Sequence, residues 1–450
     1  MDADEETNPS RTLLEQLVRK RHWAHADFCR EYAAAAKKIF GQPRNITPQT
    51  ASRWLGGKLK GLPYPGQQRV LVAMFDVAAS DLFGAPGTQA RSVAGGPGEP
   101  DEEVAEAAAE SARFMMTAEQ TNVGPHTLDQ FASDLRRIVT VYPNRPVYPL
   151  FVELRGLRSR AFELLEGQQY PDQTRDLYLI AGTLCGVLAN ASFDLGNLAA
   201  AETQARTAYL CAELAGHNGL RAWIRGTQSL VAYWDNRPRE AVNLAVQGAR
   251  YVPENGTALV RLASIEARAR GQMRDRAGVD AALARARVVR EATIGEDDFG
   301  GMMSFPQPKQ DFYAATARLW LGDPGAIAQA EHDARNAVEA YESARPEDRR
   351  LGEENLARLD LAVALLYAPN EESTSRRLPD LDGAAIEVRA VLEVSARRPT
   401  DSVTRRLRQV GVTLNQPRYR GSQLANDLKA EITARTDQLS LPALPAGQCR

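Results

Sequence analysis

The sequence predicts an all-α protein, and three observations support this prediction. Apolar residues recur at the three- and four-residue spacing of a helix face and rarely alternate as they do in a strand. Alanine is frequent, and runs of β-branched residues are few. Small residues recur every 35 to 40 positions in the middle of the chain, which is typical of stacked helical repeats. Because 450 residues are too many for one compact core, we expect a small N-terminal helical domain followed by an α-solenoid.

Residues 11–84 carry the pattern of five short helices. Apolar residues at helical spacing mark the first two, with Leu13, Leu14, Leu17 and Val18 in one and Phe28, Tyr32, Ala35 and Ile39 in the other. Gly41 ends the second helix. Val70, Leu71 and Met74 mark the fourth, and Ser80 is expected to cap the fifth. Five short helices in this length, the third preceded by a turn, predict a helix-turn-helix domain.

The third helix has a defined start, a defined end and two distinct faces. The Thr47 hydroxyl is suited to accept a backbone N–H at the helix N-terminus, and Pro48 suits the first helical position because its missing N–H has no partner there. Ala51, Trp54 and Leu55 lie at helical spacing and form an apolar stripe that is expected to be buried. Gly56 and Gly57 stop the helix. The opposite face is short and polar, which is typical of a helix that contacts DNA bases.

The charges are distributed unevenly behind a formal net charge of −2. Between positions 11 and 75 we count 12 Lys and Arg against three acidic residues, a balance of +9, so the remainder carries −11. A basic module gains free energy on binding nucleic acid, because it releases counterions from the phosphates. The alternative explanation of this charge excess is a solvated basic face that binds nothing. With the third helix, this charge predicts double-stranded DNA as a partner, contacted by Asn45, Thr47, Gln49, Thr50, Ser52, Arg53, Lys58 and Lys60.

The rest of the chain divides by composition. Residues 85–100 are rich in Gly and Pro without periodicity and predict a flexible linker. Residues 101–435 are expected to form helical repeats of about 34 residues, and residues 436–450 a disordered tail. Small residues are needed where the two helices of a unit cross closely. In three places a turn residue precedes such small residues: Gly196 before Ala201, Ala205 and Ala208, Asn236 before Ala241, Ala245 and Gly248, and Gly271 before Ala277, Ala281 and Ala284.

Weaker copies of this repeat follow towards the C-terminus. One begins at Leu321-Gly322-Asp323, and residues 361–367 together with 382–394 suggest another after a loop insertion. Alanine-rich helices are common, so a single copy is weak evidence. Three successive copies are what support the prediction of an α-solenoid of tetratricopeptide-like repeats.

The N-terminal segments "HWAHADFCREY", "TASRWLGGKLKGLPYP" and "RVLVAMFDVAASDLFG" resemble the Xre-type helix-turn-helix of a large group of actinobacterial regulators. The segments "SARFMMTAEQTNVG", "RDLYLIAGTLCGVLANASFDLGNLAA" and "PREA" resemble the tetratricopeptide sensor region of the same regulators. Together the two resemblances cover most of residues 11–290. One departure is that the second helix is longer than the usual Xre form, and the turn at 41–45 is wider.

The resemblance implies a transcriptional regulator whose third helix enters the major groove of DNA. It also implies that the repeat domain forms a homodimer and senses a ligand. The architecture is distantly similar to that of peptide-responsive quorum-sensing regulators, which makes a short peptide the leading ligand class by analogy.

A candidate ligand surface lies in the repeats. Arg221, Arg225 and Gln228 share one helix face, with Tyr233 nearby. Asn190 lies near a position where tetratricopeptide receptors often place an asparagine that holds a peptide backbone. These five residues are the predicted ligand-binding set, in which an arginine pairs with a carboxylate. The alternative is that they are solvated or tie neighbouring repeats together.

The sequence offers no catalytic or metal site and no cofactor motif. The five histidines are dispersed, no phosphate-binding loop is present, and the four cysteines have no CxxC spacing. We interpret the cysteines as buried thiols. The pairs Asp297-Asp298 and Glu353-Glu354 are expected to be solvated charge. The stretch 300–308, with Met302 among its apolar residues, is a lid, an interface or simply packed.

The sequence also bears on location and on alternative functions. No apolar run approaches the roughly 20 residues that span a bilayer, and the N-terminus is acidic, so no membrane association is predicted and a cytoplasmic protein is expected. The leading hypothesis is a ligand-sensing DNA-binding regulator that is not an enzyme. One alternative is a tetratricopeptide adaptor that docks a partner protein. A second is a regulator without a diffusible ligand, controlled by partner binding alone.

Overall fold

A computed structural model describes residues 10–59, 61–86, 100–345, 348–367 and 378–438. Within these ranges the protein consists of α-helices and two short 3₁₀ turns joined by loops, and it has no β-strand. The predicted all-α class is therefore confirmed. The chain divides into two compact units, Met1–Ala118 and Glu119–Arg450.

The first unit contains six described helices. They are α1 (Leu13–Lys20), α2 (His25–Phe40), α3 (Pro48–Leu55), α4 (Pro65–Phe75), α5 (Ala79–Leu82) and α6 (Pro100–Ala118). Helix α2 packs against α3 and α4, and α1 packs against α3 and α5. Leu14, Phe28 and Leu71 are fully buried where these helices meet. The expected cap at Ser80 is wrong, because the N-cap of α5 is Ala78, two residues earlier, and it makes no side-chain cap hydrogen bond.

The second unit begins with eight helices: α7 (Pro125–Val141), α8 (Val147–Leu165), α9 (Pro171–Asp194), α10 (Leu198–Leu214), α11 (Asn218–Trp234), α12 (Pro238–Gly248), α13 (Ala258–Gln272) and α14 (Arg276–Ala292). Six more follow: α15 (Gln307–Leu321), α16 (Pro324–Ser343), α17 (Leu351–Leu365), α18 (Leu381–Ser395), α19 (Asp401–Thr413) and α20 (Gln423–Gln438). Helix α20 includes residues 436–438, so the predicted tail is wrong for these three residues. Residues 439–450 lie outside the described part of the chain.

Successive helices of the second unit form antiparallel pairs. Helices α9, α11, α13, α15 and α17 each pack against the helix that follows in sequence. The turns of the first four pairs pass through the left-handed region, with φ of 81° at Gly196, 58° at Asn236, 58° at Arg274 and 75° at Gly322. A residue with a left-handed conformation ends one helix and reverses the chain within a few residues. A shared turn geometry therefore joins these pairs.

Small residues lie at the crossings of the first two pairs, as expected from the sequence. Ala201, Ala205 and Ala208 are fully buried in α10. In α12, a Cβ atom added to Gly248 would lie 2.8 Å from the Cβ atom of Arg225 in α11, so glycine suits this crossing. The α-carbons of the two helices can approach closely because these side chains are small.

The predicted register of the third repeat is wrong. Its turn is at Arg274, not at Gly271, which still belongs to α13. The residues of α14 that are buried are Val279, Ala282, Leu283 and Ala286, whereas the proposed small positions Ala277, Ala281 and Ala284 are exposed. Gly271 is small for a different reason: a Cβ atom there would lie 2.4 Å from the carbonyl oxygen of Ala317 in α15.

The first helices of the pairs form a closed circuit of contacts. Helix α9 contacts α11, and the contacts continue through α13, α15 and α17 to α19, which contacts α9 again. This circuit brings the segment before α19 next to α9, although some 200 residues separate them in sequence. A cavity of the second unit lies between the helices of this circuit.

One described helix, Pro171–Asp194, is long and apolar enough to cross a membrane by length and composition. Its most apolar window is 78% buried inside the protein. Packing against α8, α10 and α11 therefore accounts for its composition.

Candidate functional site

Helix α3 has the start and end that its sequence predicts. The Thr47 hydroxyl accepts a hydrogen bond from the Thr50 N–H at 3.1 Å, and Pro48 occupies the first helical position. At the other end, Gly57 is left-handed with φ of 64°. Lys58 N–H then donates to the Arg53 carbonyl at 3.1 Å, and Gly57 N–H donates to the Trp54 carbonyl at 3.3 Å. These two bonds form a Schellman motif, which fixes where Lys58 leaves the helix.

The apolar stripe of α3 holds the helix against the core of the first unit. Trp54 is 2% exposed and lies edge-on to Tyr32, with ring centroids 5.8 Å apart. On its other side it meets Phe83 at 6.4 Å. The Thr12 hydroxyl also donates to the Leu55 carbonyl at 3.0 Å. Because α3 is fixed on one face by these contacts, its opposite face has a defined orientation.

The predicted DNA-contact residues lie on that opposite face or beside it. Among the described members of the set, all but Thr50 are exposed, and Thr50 is half-buried, with its hydroxyl 2.9 Å from that of Thr47. Gln49, Ser52 and Arg53 make no side-chain hydrogen bond or ion pair with the described residues. Lys60, the remaining predicted contact, lies outside the described residues. Helix α3 therefore presents an amide, a hydroxyl and a guanidinium group to solvent.

The surroundings of α3 are basic and largely unneutralised. Lys37, Lys38 and Lys58 are exposed and form no ion pair with the described residues. Two arginines of the basic segment pair with acids among the described residues, Arg19 with Glu15 and Arg30 with Asp27. A surface with this excess of positive charge attracts a polyanion over a range set by the ionic strength.

A second site is a cavity enclosed by the first helices of the pairs. Helices α9, α11, α13, α15 and α17 line it, together with Tyr142 after α7, Arg398 and Thr400 before α19, and Ser402 in the first turn of α19. Its wall combines aromatic rings with charged groups. The charged groups of the lining are Asp194, Arg261, Arg268, Lys309, Glu353 and Arg398.

Two of these cations come from the same face of α13, seven residues apart. Arg261 is 5% exposed and donates to the Trp223 carbonyl at 2.5 Å and to the Thr227 hydroxyl at 3.1 Å. Arg268 is 2% exposed, and its guanidinium carbon lies 4.5 Å from the ring centroid of Tyr233 and 4.3 Å from that of Tyr313. No carboxylate of the described residues lies within salt-bridge distance of either arginine.

Desolvation acts differently on the two arginines. Burial lowers the pKa of Arg261 to about 10, because its neighbours supply little compensating negative charge. Burial also acts to lower the pKa of Arg268, but the nearby Tyr233, Tyr313 and Asp360 outweigh it and raise the pKa. Both side chains are therefore charged at neutral pH.

The other cations of the lining are paired. Arg398 donates to Asp194 Oδ2 at 3.2 Å and to the Tyr142 carbonyl at 3.2 Å. Asp194 Oδ2 also accepts from the Tyr142 hydroxyl at 2.8 Å and from Asn190 Nδ2 at 3.4 Å. Burial raises the pKa of Asp194, although Arg398 and Tyr142 counteract this effect. This buried network joins α7, α9 and the segment before α19.

The expectation of solvated charge at Glu353-Glu354 is wrong. The Glu353 side chain is 15% exposed and accepts hydrogen bonds from Lys309 at 2.6 Å and from the Tyr341 hydroxyl at 2.9 Å. Burial acts to raise its pKa, but Lys309, Arg350 and the hydrogen bonds outweigh it and lower the pKa. Glu354 is 6% exposed and pairs with Arg358 at 3.1 Å. Glu353 therefore joins α15, α16 and α17, whereas the Glu354 pair lies within α17.

The structure separates the predicted ligand-binding residues. Asn190 lines the cavity. Arg225 donates to Gln228 at 2.9 Å, stacks on a tyrosine ring and lines a different, open hollow. Arg221 donates to the Glu213 carbonyl at 3.0 Å, and Tyr233 accepts from the Trp320 indole at 2.9 Å. Arg221, Arg225 and Tyr233 thus contact neighbouring helices, whereas the Gln228 contact lies within α11.

Sequence reasoning missed Arg261 and Arg268 as cavity residues. The available signal was a pair of arginines two helical turns apart on an otherwise apolar or small-residue face of α13. A charge at such a position is unusual, because arginine is rarely buried unless it is paired. The stretch 300–308 is packed, with Met302, Met303 and Phe305 buried.

The remaining chemistry-bearing residues give no further site. No group of His, Cys, Asp and Glu in the described ranges is arranged to hold a metal ion. Cys185 and Cys211 are buried and Cys29 is half-buried, all three with free thiols, while Cys449 lies outside the described residues. Burial raises the pKa of Cys185 to about 12, which keeps this thiol protonated and unreactive.

Comparison with known proteins adds no family to these observations. No protein family matches this chain, and no curated protein matches it either. Its function must therefore be inferred from the two sites themselves.

Proposed function

We propose that this protein is a DNA-binding transcriptional regulator. The observation that carries the proposal is the exposed face of α3, where the side chains of Gln49, Ser52 and Arg53 have no hydrogen-bond or ion-pair partner among the described residues. Amide and guanidinium groups are the side chains that form bidentate hydrogen bonds with adenine and guanine edges in the major groove. The basic surface around α3 supplies the phosphate contacts that position such a helix.

In this proposal α2, the following turn and α3 act as a helix-turn-helix of the Xre type. Asn45 and Lys58 flank α3 and contact phosphates, while the α3 side chains contact bases. The edge-on packing of Trp54 against Tyr32 supports this role, because base recognition needs a helix held rigidly from behind.

The second unit acts in this proposal as a tetratricopeptide-like solenoid that senses a ligand. Five successive helix pairs, and the left-handed turns that the first four of them share, support the assignment. The enclosed cavity is the natural place for the ligand, with Asn190 in its wall. A short peptide is the ligand class favoured by the similarity to peptide-responsive regulators, and this part rests on analogy.

The regulator functions as a homodimer in this proposal. One α3 helix has eight residues and contacts only a few base pairs, so useful specificity needs a second copy at a second half-site. Helix α6 offers a surface for assembly, since Phe114 is 74% and Met116 68% exposed. Ligand binding then changes the distance between the two DNA-binding units, to the extent that it favours one conformation of the dimer.

The test compares single arginine and lysine replacements in DNA-binding assays over a salt series. Arg53→Ala is expected to lose sequence preference by roughly 10- to 100-fold, because one bidentate base contact is worth about 1–3 kcal/mol. Lys58→Ala is expected to weaken binding to all sequences alike and to lower the slope of log K against log salt by about one unit.

Arg136→Ala is the matched control. Arg136 is exposed on α7 in the other unit and makes no described ion pair, so the charge change is the same but the basic surface is intact. Equal effects of Arg53→Ala and Arg136→Ala on sequence preference would refute the assigned role of α3.

An adaptor that docks a partner protein is the second candidate, and the exposed apolar side chains of α6 are the observation that favours it. The two candidates differ in what they bind. An adaptor is expected to co-purify with a stoichiometric protein partner and to show no preference among DNA sequences. A regulator is expected to show that preference and to need no other protein.

A further inference from the structure

We propose that the cavity of the second unit binds a small organic anion, whose carboxylate or phosphate oxygens are held by Arg261 and Arg268 between aromatic rings. Only the role of this anion as a signal rests on the proposed function. The binding site itself follows from the residues that line the cavity. It specifies the chemistry of the ligand, which architecture alone does not.

The first step is the charge balance of the cavity wall. Four cations line it, Arg261, Arg268, Lys309 and Arg398, against the two carboxylates Asp194 and Glu353. Lys309 pairs with Glu353 at 2.6 Å, and Arg398 pairs with Asp194 at 3.2 Å. The two arginines of α13 are left without a carboxylate partner among the described residues. The lining therefore has an excess of two positive charges.

The second step is the burial of these charges. Arg261 is 5% and Arg268 2% exposed, so bulk water solvates these guanidinium groups much less than it would at a surface. A buried charge without a counter-ion is unfavourable, and proteins rarely keep one without a functional reason. Rings beside Arg268 and two oxygen acceptors beside Arg261 lower this cost. The nearby Asp360 adds negative charge at Arg268, but its carboxylate already pairs with Arg406 at 2.7 Å. None of these groups is an unpaired opposite charge. An anionic ligand would supply it.

The third step is the set of donors that lack an acceptor. The Trp223 indole Nε1 and the Arg268 Nε are both buried, and neither has a hydrogen-bond partner. Both residues line the cavity. A buried donor left unsatisfied costs free energy, so these two groups indicate where ligand oxygens would be bound.

The fourth step is shape and size. Trp223, Trp234 and Tyr313 contribute aromatic surface to the cavity, which suits a planar or apolar part of a ligand. The cavity has about 90 Å³ of space for the centres of water-sized molecules. Since one water needs roughly 10–15 Å³ on this measure, the space corresponds to about six to nine waters. It accommodates an anionic group with one ring or short chain, or the terminal residue of a peptide.

Two sources share this chemistry, the C-terminal carboxylate of a peptide and a phosphate ester. Three probes separate them when added to the full chain. N-acetylphenylalanine imitates a C-terminal residue, phenyl phosphate imitates an ester, and N-acetylphenylalanine amide is the neutral match of the first. Binding is followed by isothermal titration calorimetry and by tryptophan fluorescence, because Trp223 and Trp234 line the cavity.

We expect at least one of the two anions to bind roughly tenfold or more tightly than the neutral amide, a ratio that reports a charge-assisted interaction. Preference for N-acetylphenylalanine indicates a carboxylate signal, and preference for phenyl phosphate indicates a phosphorylated one. Binding of both anions no tighter than that of the neutral amide would overturn the proposal. So would the absence of binding of both anions at millimolar concentration.

Variants locate the site. Arg268→Met and Arg261→Met are each expected to weaken the favoured anion at least tenfold. Arg225→Met is the matched control, because Arg225 also stacks on a tyrosine ring, at 3.9 Å, but does not line the cavity. If either arginine variant fails to fold, Trp223→Phe removes the Nε1 donor while keeping a smaller aromatic ring, and it is expected to weaken binding severalfold. Unchanged affinity in the folded variants would overturn the proposal.

The outcome is independent of DNA. A protein that binds the anion but no specific DNA contradicts the proposed regulator and leaves this site standing. A protein that binds specific DNA but neither anion contradicts this inference alone.

Discussion

Replacing Arg398 by methionine tests whether the buried network closes the circuit of helices in the second unit. The side chains of Arg398 and Asp194 are 5% and 10% exposed, and their groups meet at 3.2 Å. Methionine keeps most of the side-chain volume but removes both donated hydrogen bonds. The Asp194 carboxylate then keeps only the Tyr142 hydroxyl and the Asn190 amide.

The expected cost follows from burial. Breaking a buried ion pair by removing one partner costs about 3–5 kcal/mol, because the other charge stays buried without compensation. Arg389 and Glu431 form the matched exposed pair, which also joins two helices, with side chains 49% and 38% exposed. Arg389→Met is expected to cost only about 0–1 kcal/mol, because solvent screens that interaction.

Urea titration followed by circular dichroism measures the two costs as shifts of the unfolding midpoint. Hydrogen exchange measured by mass spectrometry shows where the protein opens, and faster exchange is expected in α19 and α20 of Arg398→Met. Adding Asp194→Asn to that variant should recover part of the loss, since no buried charge is left alone. Equal midpoints for Arg398→Met and Arg389→Met, or unchanged exchange in α19, would refute the reasoning.

Three further predictions concern single positions in both units. Glu353→Gln should destabilise at neutral pH but by less as the pH falls below about 4.5: the folded-state pKa of Glu353 is lowered, so its contribution is present above the ordinary value of 4.5 and is lost on acidification, which urea midpoints at two pH values measure. Gly57→Ala should cost about 1–2 kcal/mol, because alanine is strained at φ of 64° and its Cβ would lie 3.2 Å from the Thr12 methyl carbon; a thermal melt followed by tryptophan fluorescence checks this, and Gly61→Ala is the control, with open space around its Cβ. Phe114→Ser should weaken the proposed dimer without loss of helix content, as measured by sedimentation velocity, and an unchanged dimer would remove α6 from the interface.

The part of the fold that sequence could predict is the part fixed by neighbours in sequence. The cap at Thr47, the stop at Gly57 and the buried stripe through Trp54 all depend on residues within one helix. Their chemistry is legible from propensities and spacing alone. The helix pairs could be predicted for the same reason, because turn residues and alanines repeat along the chain at regular intervals.

The cavity could not be predicted in the same way. Whether Arg261 is solvated or buried depends on α11 and α15 packing around α13, and the Asp194–Arg398 contact joins residues 204 positions apart. Helical spacing shows which residues share a face but not what that face meets. The same limit explains the error at Glu353, whose partners Lys309 and Tyr341 come from two other helices.

The register error in the third repeat has a local cause. Gly271 looked like a turn residue, yet it lies inside α13 because its lack of a side chain admits the backbone of α15. The actual turn is at Arg274, which adopts φ of 58° although its side chain does not favour that region. Glycine permits both a left-handed turn that reverses the chain and the close approach of another backbone, and sequence alone does not distinguish these two uses.

The most direct test of the central claim is footprinting of the full-length protein on the DNA upstream of its own coding region, with random fragments as competitor at physiological salt. A dimeric regulator is expected to protect two short segments whose centres are about 34 Å apart, or a multiple of one helical turn, and Arg53→Ala is expected to lose that pattern. Binding to this DNA that is no tighter than binding to random fragments would contradict the proposed regulator.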